Sequence, residues 1–181
     1  KEALSKALSI IEKGAVIASG GSATIEEVGL LNYIKTHSEE YTFIDRSIAK
    51  NEDEKRQIHA KAILSDYYLM STNAFTMDGQ LVNIDGNGNR VSALCYGPKH
   101  VVIITGMNKL TPSVEDAYKR IRQDACPPNC VRLGLPTPCS KTGVCGECMS
   151  ASSICDLFVT TRMSRYPDRI HIIMVGEELG Y

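Results

Sequence analysis

Short apolar segments alternate with amphipathic helical segments along most of this chain, and that alternation limits the possible folds more than any other feature. The clearest apolar segment is VVIIT at 101–105, which is short and rich in β-branched residues, as expected of a buried strand. Similar segments predict strands at 15–18, 41–44, 67–71, 157–161 and 170–175, and helical spacing predicts helices at 1–13, 25–34, 52–64 and 113–122. This order indicates an α/β fold with a mostly parallel sheet covered by helices on both faces.

Size, composition and charge are those of an ordinary globular domain. The 181 residues suit a single domain over 1–181, and contents of 43% hydrophobic and 23% charged residues are typical of such domains. The net charge of −1 argues against nucleic acid and anionic membranes as partners, and no apolar run approaches the ~20 residues of a membrane span. No secretory signal is visible, so a cytoplasmic protein is expected. The chain begins at Lys1 inside a helical pattern, which predicts that native N-terminal residues are missing.

Six of the seven cysteines lie between 126 and 155. Four of them follow the spacing Cys139-x5-Cys145-x2-Cys148-x6-Cys155 within TPCSKTGVCGECMSASSIC. One Cys-x-x-Cys with looser flanking spacings suits a [4Fe–4S] cluster, whereas structural zinc favours two such knuckles. The same cysteines could also form a disulfide framework, which is usual in short secreted chains, or remain free as redox-active thiols. We predict a metal site on these four cysteines, with an iron–sulfur cluster ahead of zinc.

The rest of this cysteine-rich C-terminal segment is harder to interpret. The Pro- and Gly-rich residues 127–146 predict a loop too long for a compact domain unless a bound cofactor orders it. Cys126 and Cys130 are either alternative ligands or a second pair. Cys95 stands alone in a helical stretch and is predicted to be a small buried hydrophobic residue.

A glycine-rich turn follows the first predicted strand. Gly20, Gly21 and Ser22 precede a helix, and Thr24 with Glu27 fits a capping box at its start. Glycines let a ligand approach the backbone closely, and hydroxyls beside the free N–H groups of a helix start suit an anion. The alternative is that this loop is only a turn followed by a helix cap and binds nothing. Because open α/β sheets bind ligands at the carboxyl ends of their strands, this loop is a candidate anion site.

Polar residues crowd the stretch 71–90 behind the strand at 67–71. Turn and cap chemistry alone explains most of its Asn, Asp and Gly residues. Asp78, Asn83 and Arg90 are better site candidates, since turns have less need of Asn and no need of Arg. An Arg near a helix start is suited to clamp a carboxylate or phosphate.

Asn108 and Lys109 follow the VVIIT strand in the same way. Lys109 either joins an anion site or is a solvated loop lysine, and its strand-end position favours the site. None of the four histidines pairs with Ser or Cys in a recognisable catalytic pattern, and HExxH and GxSxG are absent. The sequence therefore offers no sign of the common metalloprotease or serine-hydrolase chemistry.

Four segments together resemble the LUD family, the lactate-utilisation domain formerly known as a domain of unknown function. They are GGSATIEEVGLL (20–31), STNAFTMDGQLVNIDGNGNRVSALCYGPKHVVIITGMNKL (71–110), TPCSKTGVCGECMSASSIC (137–155) and RIHIIMVGEELGY (169–181). They cover nearly the whole chain in the order of the family, and the cysteines resemble the branch with its own cysteine cluster.

The resemblance implies a sheet fold of the kind shared by sugar-phosphate isomerases and CoA transferases. Some members of the family act in the oxidation of lactate to pyruvate, so iron–sulfur or flavin redox subunits are expected partners, and a homodimer is one expected assembly. The cysteine motif maps onto Cys139, Cys145, Cys148 and Cys155. The small polar positions of the family map onto Gly20, Gly21, Ser22, Thr24, Asn73, Asp78, Gly79, Asn83, Asn89, Arg90, Asn108 and Lys109.

Three functional hypotheses follow. The first is a domain that binds a [4Fe–4S] cluster and a small anionic metabolite, with an accessory or electron-transfer role in the oxidation of lactate or a related hydroxy acid. The second is an isomerase or transferase acting on a sugar phosphate or CoA ester, with structural zinc at the cysteines. In that case Asp78 is the acid–base residue and Asn83 its catalytic partner, by analogy with methylthioribose-phosphate isomerases. The third is a sensor of redox state or metabolite without turnover.

Overall fold

The computed structural model describes residues 1–181. Its helices are α1 (Glu2–Ile10), α2 (Ala23–Glu27), α3 (Leu30–Thr36), α4 (Glu52–Ile63), α5 (Asn89–Cys95), α6 (Val114–Arg120), α7 (Cys126–Arg132) and α8 (Pro138–Thr142). Its strands are β1 (Val16–Ser19), β2 (Thr42–Phe43), β3 (Tyr67–Met70), β4 (Ala74–Thr76), β5 (Leu81–Asp85), β6 (His100–Gly106), β7 (Leu110–Thr111), β8 (Leu157–Thr161) and β9 (Ile170–Val175). Each predicted strand and helix forms at its predicted place, except that the helix expected at 25–34 is divided at Gly29, which has φ of +79°.

Five strands form a wholly parallel sheet in the order β2-β1-β3-β6-β9. Alternate side chains of its central strands enter two different cores, with Leu69 and Val102 on one face and Tyr68 and Ile103 on the other. Because both faces are buried, these strands are continuous apolar runs rather than alternating ones. The predicted mostly parallel sheet is confirmed.

Helices cover both faces of this sheet, as predicted. The first three helices supply Ala7, Ile25 and Ile34 to one core, and α4 and α5 supply Ile63 and Leu94 to the other. Each large buried side chain of this kind stabilises the fold by about 1.5–3 kcal/mol relative to its exposed state. The amphipathic pattern of the helices therefore follows from the sheet between them.

A second, mixed sheet of four strands has the order β7-β4-β5-β8. β5 pairs antiparallel with β4 and with β8, and β4 pairs parallel with β7. A core of Val82, Ile84, Ala117 and Ile121 joins this sheet to α6 and the π-helical turn that follows it. The strand predicted at 157–161 thus closes the second sheet rather than the main one.

The chain crosses from the main sheet to the second sheet twice. It passes from β3 to β4 through residues 71–73 and from β6 to β7 through the 3₁₀ turn Met107–Lys109. β3 and β6 are neighbours in the parallel sheet, so both crossings leave the same edge side by side. The strand β1 is the other neighbour of β3, and the loop that follows β1 begins at this same edge.

Three local expectations are wrong. Ser22, not Thr24, caps α2, since the Ser22 hydroxyl accepts a hydrogen bond from the Ile25 N–H at 3.3 Å. Residues 127–146 are not one long loop, because α7 and α8 occupy much of the segment. Cys95 is exposed rather than buried. Separately, no helix combines the length and apolar character required to span a membrane.

Candidate functional site

A polar cleft lies where the two sheets meet, above the carboxyl ends of β1, β3 and β6. Its inner chamber encloses about 80 Å³. The lining residues are Gly21, Ser22, Ala23, Thr24, Ser71, Thr72, Asn73, Ile84, Arg90, Lys109, Asn129, Arg132, Gly180 and Tyr181. The glycine loop, the 71–73 crossing and Lys109 therefore converge, as their strand-end positions predict.

Lys109 is the central side chain of the inner chamber. It is only 3% exposed, and its ammonium group donates to two hydroxyls, Thr24 Oγ1 at 2.9 Å and Ser71 Oγ at 3.1 Å. Burial, with the charge of Arg120, lowers the pKa of Lys109 to about 8, and the charge of Glu27 offsets this only in part. A buried ammonium group whose hydrogen-bond partners are neutral favours an anion beside it.

Arg90 holds the neighbouring loop together rather than facing a ligand with free donors. A guanidinium has five N–H donors, and all of those of Arg90 point at oxygens of the chain. They reach Asp85 Oδ2 at 3.2 Å, Asn83 Oδ1 at 2.5 Å, Asn73 Oδ1 at 2.9 Å, Ile84 O at 2.8 Å and Ser71 O at 3.5 Å. Arg90 borders the cleft, but its geometry is that of a positioning residue.

The two predicted asparagines at 73 and 83 belong to this network. The Asn73 oxygen accepts from Arg90 and from the Ile84 N–H at 3.1 Å, and Asn73 also lines the cleft. Asn83 is completely buried behind Arg90, and its amide nitrogen is the one buried side-chain polar atom that lacks a partner. The structure does not place Asn83 on the cleft wall, so a catalytic role has no geometric support there.

Asp78, the predicted catalytic residue, lies away from the cleft. It is exposed in the turn between β4 and β5, where it accepts hydrogen bonds from the Thr76 hydroxyl and from Gln80 Nε2, the latter at 2.8 Å. The bond from Thr76 is the main reason why the pKa of Asp78 is below its ordinary value. Asp78 and Gly79 serve the turn, with Gly79 at φ of +87°.

Asn108 and Thr24 hold the C-terminal residues over the cleft. Asn108 Nδ2 donates to Gly180 O at 3.2 Å, and Asn108 Oδ1 accepts from the Leu179 N–H at 3.2 Å. The Thr24 hydroxyl donates to Leu179 O at 3.3 Å. Asn108 is therefore a clamp for the chain rather than a cleft-lining group.

Gly20, Gly21 and Asn89 shape the outer side of the cleft. A β-carbon on Gly20 would lie 3.2 Å from the Arg90 side chain, and one on Gly21 would lie 2.8 Å from a guanidinium nitrogen of Arg46. Both glycines therefore let arginines approach the backbone closely. Asn89 lies farther out, beside a larger opening.

Sequence reasoning missed the residues that cover the cleft from the other side. Arg132 Nε donates to the Tyr181 hydroxyl at 2.6 Å, and both Arg132 and Tyr181 donate to Asn129 Oδ1, at 2.8 and 3.0 Å. Asn129 and Arg132 lie in a segment whose proline and glycine content predicts a loop. That prediction gives no reason to expect either residue at the cleft. The spacing of Cys126 and Cys130, four residues apart with polar residues between them, could have indicated the helix that carries both residues.

Two of the cysteines, Cys126 of α7 and Cys155, are in contact. Cys126 Sγ and Cys155 Sγ are 3.4 Å apart, and Cys139 Sγ is 3.3 Å from the Thr137 hydroxyl. The contact with Cys126 lowers the pKa of Cys155 to about 7, because the neighbouring thiol stabilises the Cys155 thiolate. Burial raises the pKa of Cys130 to about 11.

The four predicted ligand cysteines are not gathered into one coordination shell. No three His, Cys, Asp or Glu side chains converge closely enough to hold a metal ion. Cys139 is buried, whereas Cys145 and Cys148 are half-buried on a stretch without helix or strand. Cys126, to which the motif assigned no role, is the cysteine in contact with Cys155. The helix α7 thus carries Cys126, which contacts Cys155, and also Asn129 and Arg132, which line the cleft.

The Gly106→Ala variant should dislodge the C-terminal residues from the cleft. The added β-carbon would lie 2.5 Å from Asn108 Oδ1, 2.6 Å from Leu179 N and 2.7 Å from Glu177 O, and two of these are backbone atoms that cannot rotate away. Overpacking of this kind lowers the free energy of unfolding by about 1–3 kcal/mol, measurable by urea denaturation. Gly176→Ala, with no atom within 4 Å, is the control. Equal effects in both variants would contradict the clamp.

One family of known proteins matches nearly the whole chain. The LUD domain family model matches residues 1–175. No curated protein sequence matches the chain.

Several solved structures are similar to the chain at low sequence identity. A DUF162 family protein from Deinococcus radiodurans is 12% identical, with 97% of this chain and 95% of the other covered and a TM-score of 0.38. Ribose 5-phosphate isomerase from Plasmodium falciparum is 14% identical over 61% of this chain, with a TM-score of 0.38, and the chain covers 51% of that enzyme. Ribose 5-phosphate isomerase A from Methanocaldococcus jannaschii is 16% identical, with coverage of 73% and 65% and a TM-score of 0.40. The chain thus spans about half the length of the Plasmodium enzyme.

Proposed function

The chain belongs to the LUD domain family, and from that premise we propose that it binds a small hydroxy acid in the Lys109 cleft and an iron–sulfur cluster on the adjacent cysteine segment. Its role is accessory or electron-transferring in the oxidation of lactate or a related hydroxy acid. The two sites share α7, which has buried cysteines on one side and cleft residues on the other. In this proposal the redox group would lie beside the bound metabolite.

The environment of Lys109 is the observation that carries the metabolite site. Its ammonium group is buried against neutral hydroxyls, Glu27 offsets its burial only in part, and Asp85 in the adjoining chamber is already paired with Arg90. A ligand carboxylate would supply the counter-charge that the chain does not. At about 80 Å³ the chamber is far smaller than the roughly 300–1,000 Å³ of typical ligand pockets. It therefore selects a small acid or the acidic end of a larger molecule.

The chemistry of the cysteine segment fits the proposed cluster. Thiolates are the usual ligands of iron–sulfur clusters, and such a cluster, when bound, supplies one-electron transfer. Cys139, Cys145, Cys148 and Cys155 would hold it, and Cys126, which contacts Cys155, is the nearest alternative ligand. Residues 145–150 carry no helix or strand, and binding there would require this segment to rearrange so that the four cysteines converge.

A second candidate function is proton transfer on a phosphorylated sugar or CoA ester, with zinc at the cysteines. The lowered pKa of Lys109 favours it, because a base that titrates near pH 8 is suited to move protons under physiological conditions. Lys109 would take the acid–base role that the exposed Asp78 cannot fill from outside the cleft. Product formation from a sugar phosphate without any electron acceptor would support this function over the first.

The Cys145→Ser variant should lose most of its iron and sulfide. Protein purified without oxygen is expected to hold about four iron and four sulfide per chain, with a brown absorbance band, and loss of one thiolate ligand removes the cluster. Cys95→Ser, which changes an exposed cysteine outside the 126–155 segment, is the control and should keep both. Full iron and sulfide in Cys145→Ser would refute the ligand assignment. One zinc without sulfide in the wild type would instead support the second function.

A further inference from the structure

We propose that the ligand of this cleft is dianionic: a short hydroxy acid whose carboxylate meets Lys109 and whose far end carries a second anionic group, best a phosphate, at Arg46. The inference rests on the proposed function, because the carboxylate must occupy the inner chamber. It adds a second subsite, a specificity residue and a class of ligand to that function.

The second subsite is a larger chamber that adjoins the first. It encloses about 240 Å³, three times the inner volume, and opens outward from it. The two chambers share the walls formed by Gly21, Ile84, Arg90, Asn129 and Arg132. A ligand that enters the inner chamber therefore has space to continue into the outer one.

Arg46 faces the outer chamber without a partner in the chain. Its guanidinium lies over Gly21, with one nitrogen 2.8 Å from the position that a β-carbon there would take. The adjacent carboxylate, Asp45, is already engaged by Lys35 Nζ at 2.8 Å and by the Ser47 hydroxyl at 2.7 Å. Arg46 thus presents the planar, two-pronged donor set that recognises phosphate.

The charged side chains that line the outer chamber also favour an anionic group such as phosphate. Arg132 also lines this chamber and uses Nε and one terminal nitrogen within the chain, which leaves its other terminal nitrogen for a ligand. The one carboxylate on the wall, Asp85, is paired with the buried Arg90 at 3.2 Å. Two arginines with no competing counter-charge favour an anion over a sugar hydroxyl or an amide.

The separation of the two subsites limits the length of the ligand. Gly21 lies below Arg46, and Thr24 holds the Lys109 ammonium group. Three residues of extended chain span at most about 10 Å, so Gly21 and Thr24 lie within that distance of each other and the two anionic groups need only a short carbon chain between them. This geometry favours a phosphorylated hydroxy acid over a nucleotide.

Glycerate and 3-phosphoglycerate form a matched pair of probes for calorimetry, because they differ only in the phosphate. We expect the wild type to bind 3-phosphoglycerate at least about tenfold more tightly than glycerate, since charge-assisted hydrogen bonds contribute this much or more. Arg46→Met should remove that gain and leave glycerate affinity within about twofold. Arg56→Met, an arginine beside a different groove on α4, is the control and should bind both probes as the wild type does. Arg46 is exposed, so the variant should fold normally.

The outcomes separate this inference from the proposed function. If glycerate binds and the binding needs Lys109 but phosphate adds nothing, the dianionic ligand is refuted and the hydroxy-acid site stands. An equal loss of both probes in Arg46→Met also refutes it, because Arg46 would then act on the inner chamber. If neither probe binds, both proposals fail.

Discussion

Lys109→Met should strongly weaken the binding of lactate and related acids while leaving the fold at least as stable. Charge-assisted hydrogen bonds of a buried ammonium group contribute about 1.5–3 kcal/mol each, so affinity should fall by about 10- to 100-fold or more. Methionine has nearly the same length and no charge to bury. The displaced pKa of Lys109, from 10.5 to about 8, corresponds to about 3 kcal/mol of unfavourable burial, which the variant no longer carries. Calorimetry and urea denaturation measure the two effects.

The control for this variant is Lys119→Met. Lys119 is exposed on α6 and pairs with Glu115 at 2.8 Å, so its removal should change neither affinity nor stability by more than about 1 kcal/mol. Wild-type affinity in Lys109→Met would show that the anion binds elsewhere. A loss of stability comparable to the loss of affinity would make Lys109 a structural residue instead.

The pH dependence of Lys109 distinguishes the same two roles, anion ligand and structural residue. Between pH 8 and 10.5 the lysine of the unfolded chain keeps its proton while that of the folded chain loses it. The unfolded state then binds more protons, so the contribution of Lys109 to stability rises with pH across this window and is most unfavourable below pH 8. Anion affinity should move the other way and fall above pH 8, because the ligand binds the protonated form. Lys109→Met should show neither trend.

Arg90→Met should lower the free energy of unfolding by about 3–5 kcal/mol. Removal of one partner from a buried ion pair leaves the other charge buried without compensation, here Asp85. The amide oxygens of Asn73 and Asn83 and the carbonyl of Ile84 would lose their donors as well. Because Ile84 and Arg90 form part of the wall that the two chambers share, ligand binding should weaken with stability. Urea denaturation gives the size of the effect.

Two further variants test this role of Arg90. Arg122→Met breaks an exposed pair with Glu147 and should cost less than about 1 kcal/mol. Arg90→Met combined with Asp85→Asn should recover part of the loss, since no unpaired carboxylate remains. If Arg90→Met costs no more than Arg122→Met, the network is not what holds the loop.

Most of the fold could be predicted from the sequence because its signals are local. The run VVIIT forms β6 with one residue added at each end, and the closing strands 157–161 and 170–175 have their predicted bounds. The second sheet was harder to foresee. Whether β8 pairs with β5 or with the main sheet depends on contacts between distant parts of the chain, such as Asn83 with Val159.

The sequence predicted where the site lies, but it predicted only in part what each polar side chain does there. Strand-end placement predicts that Lys109 and Thr24 lie together, and they are in contact. The same reasoning proposed Asp78 as catalytic and Arg90 as a ligand clamp, because a polar residue in a loop has the same local pattern whether it turns the chain, braces a wall or faces a ligand. Arg46 has no motif around it and is placed at the cleft only by the fold.

The sequence by itself determined the elements, their alternation and the family, since apolar periodicity and motif spacing are properties of neighbouring residues. Tertiary structure alone decided which side chains meet. Lys109 reaches Thr24 across 85 positions, and Cys126 reaches Cys155 across 29. The physical reason is that hydrogen bonding, burial and charge act over a few ångströms of space, whatever the separation along the chain.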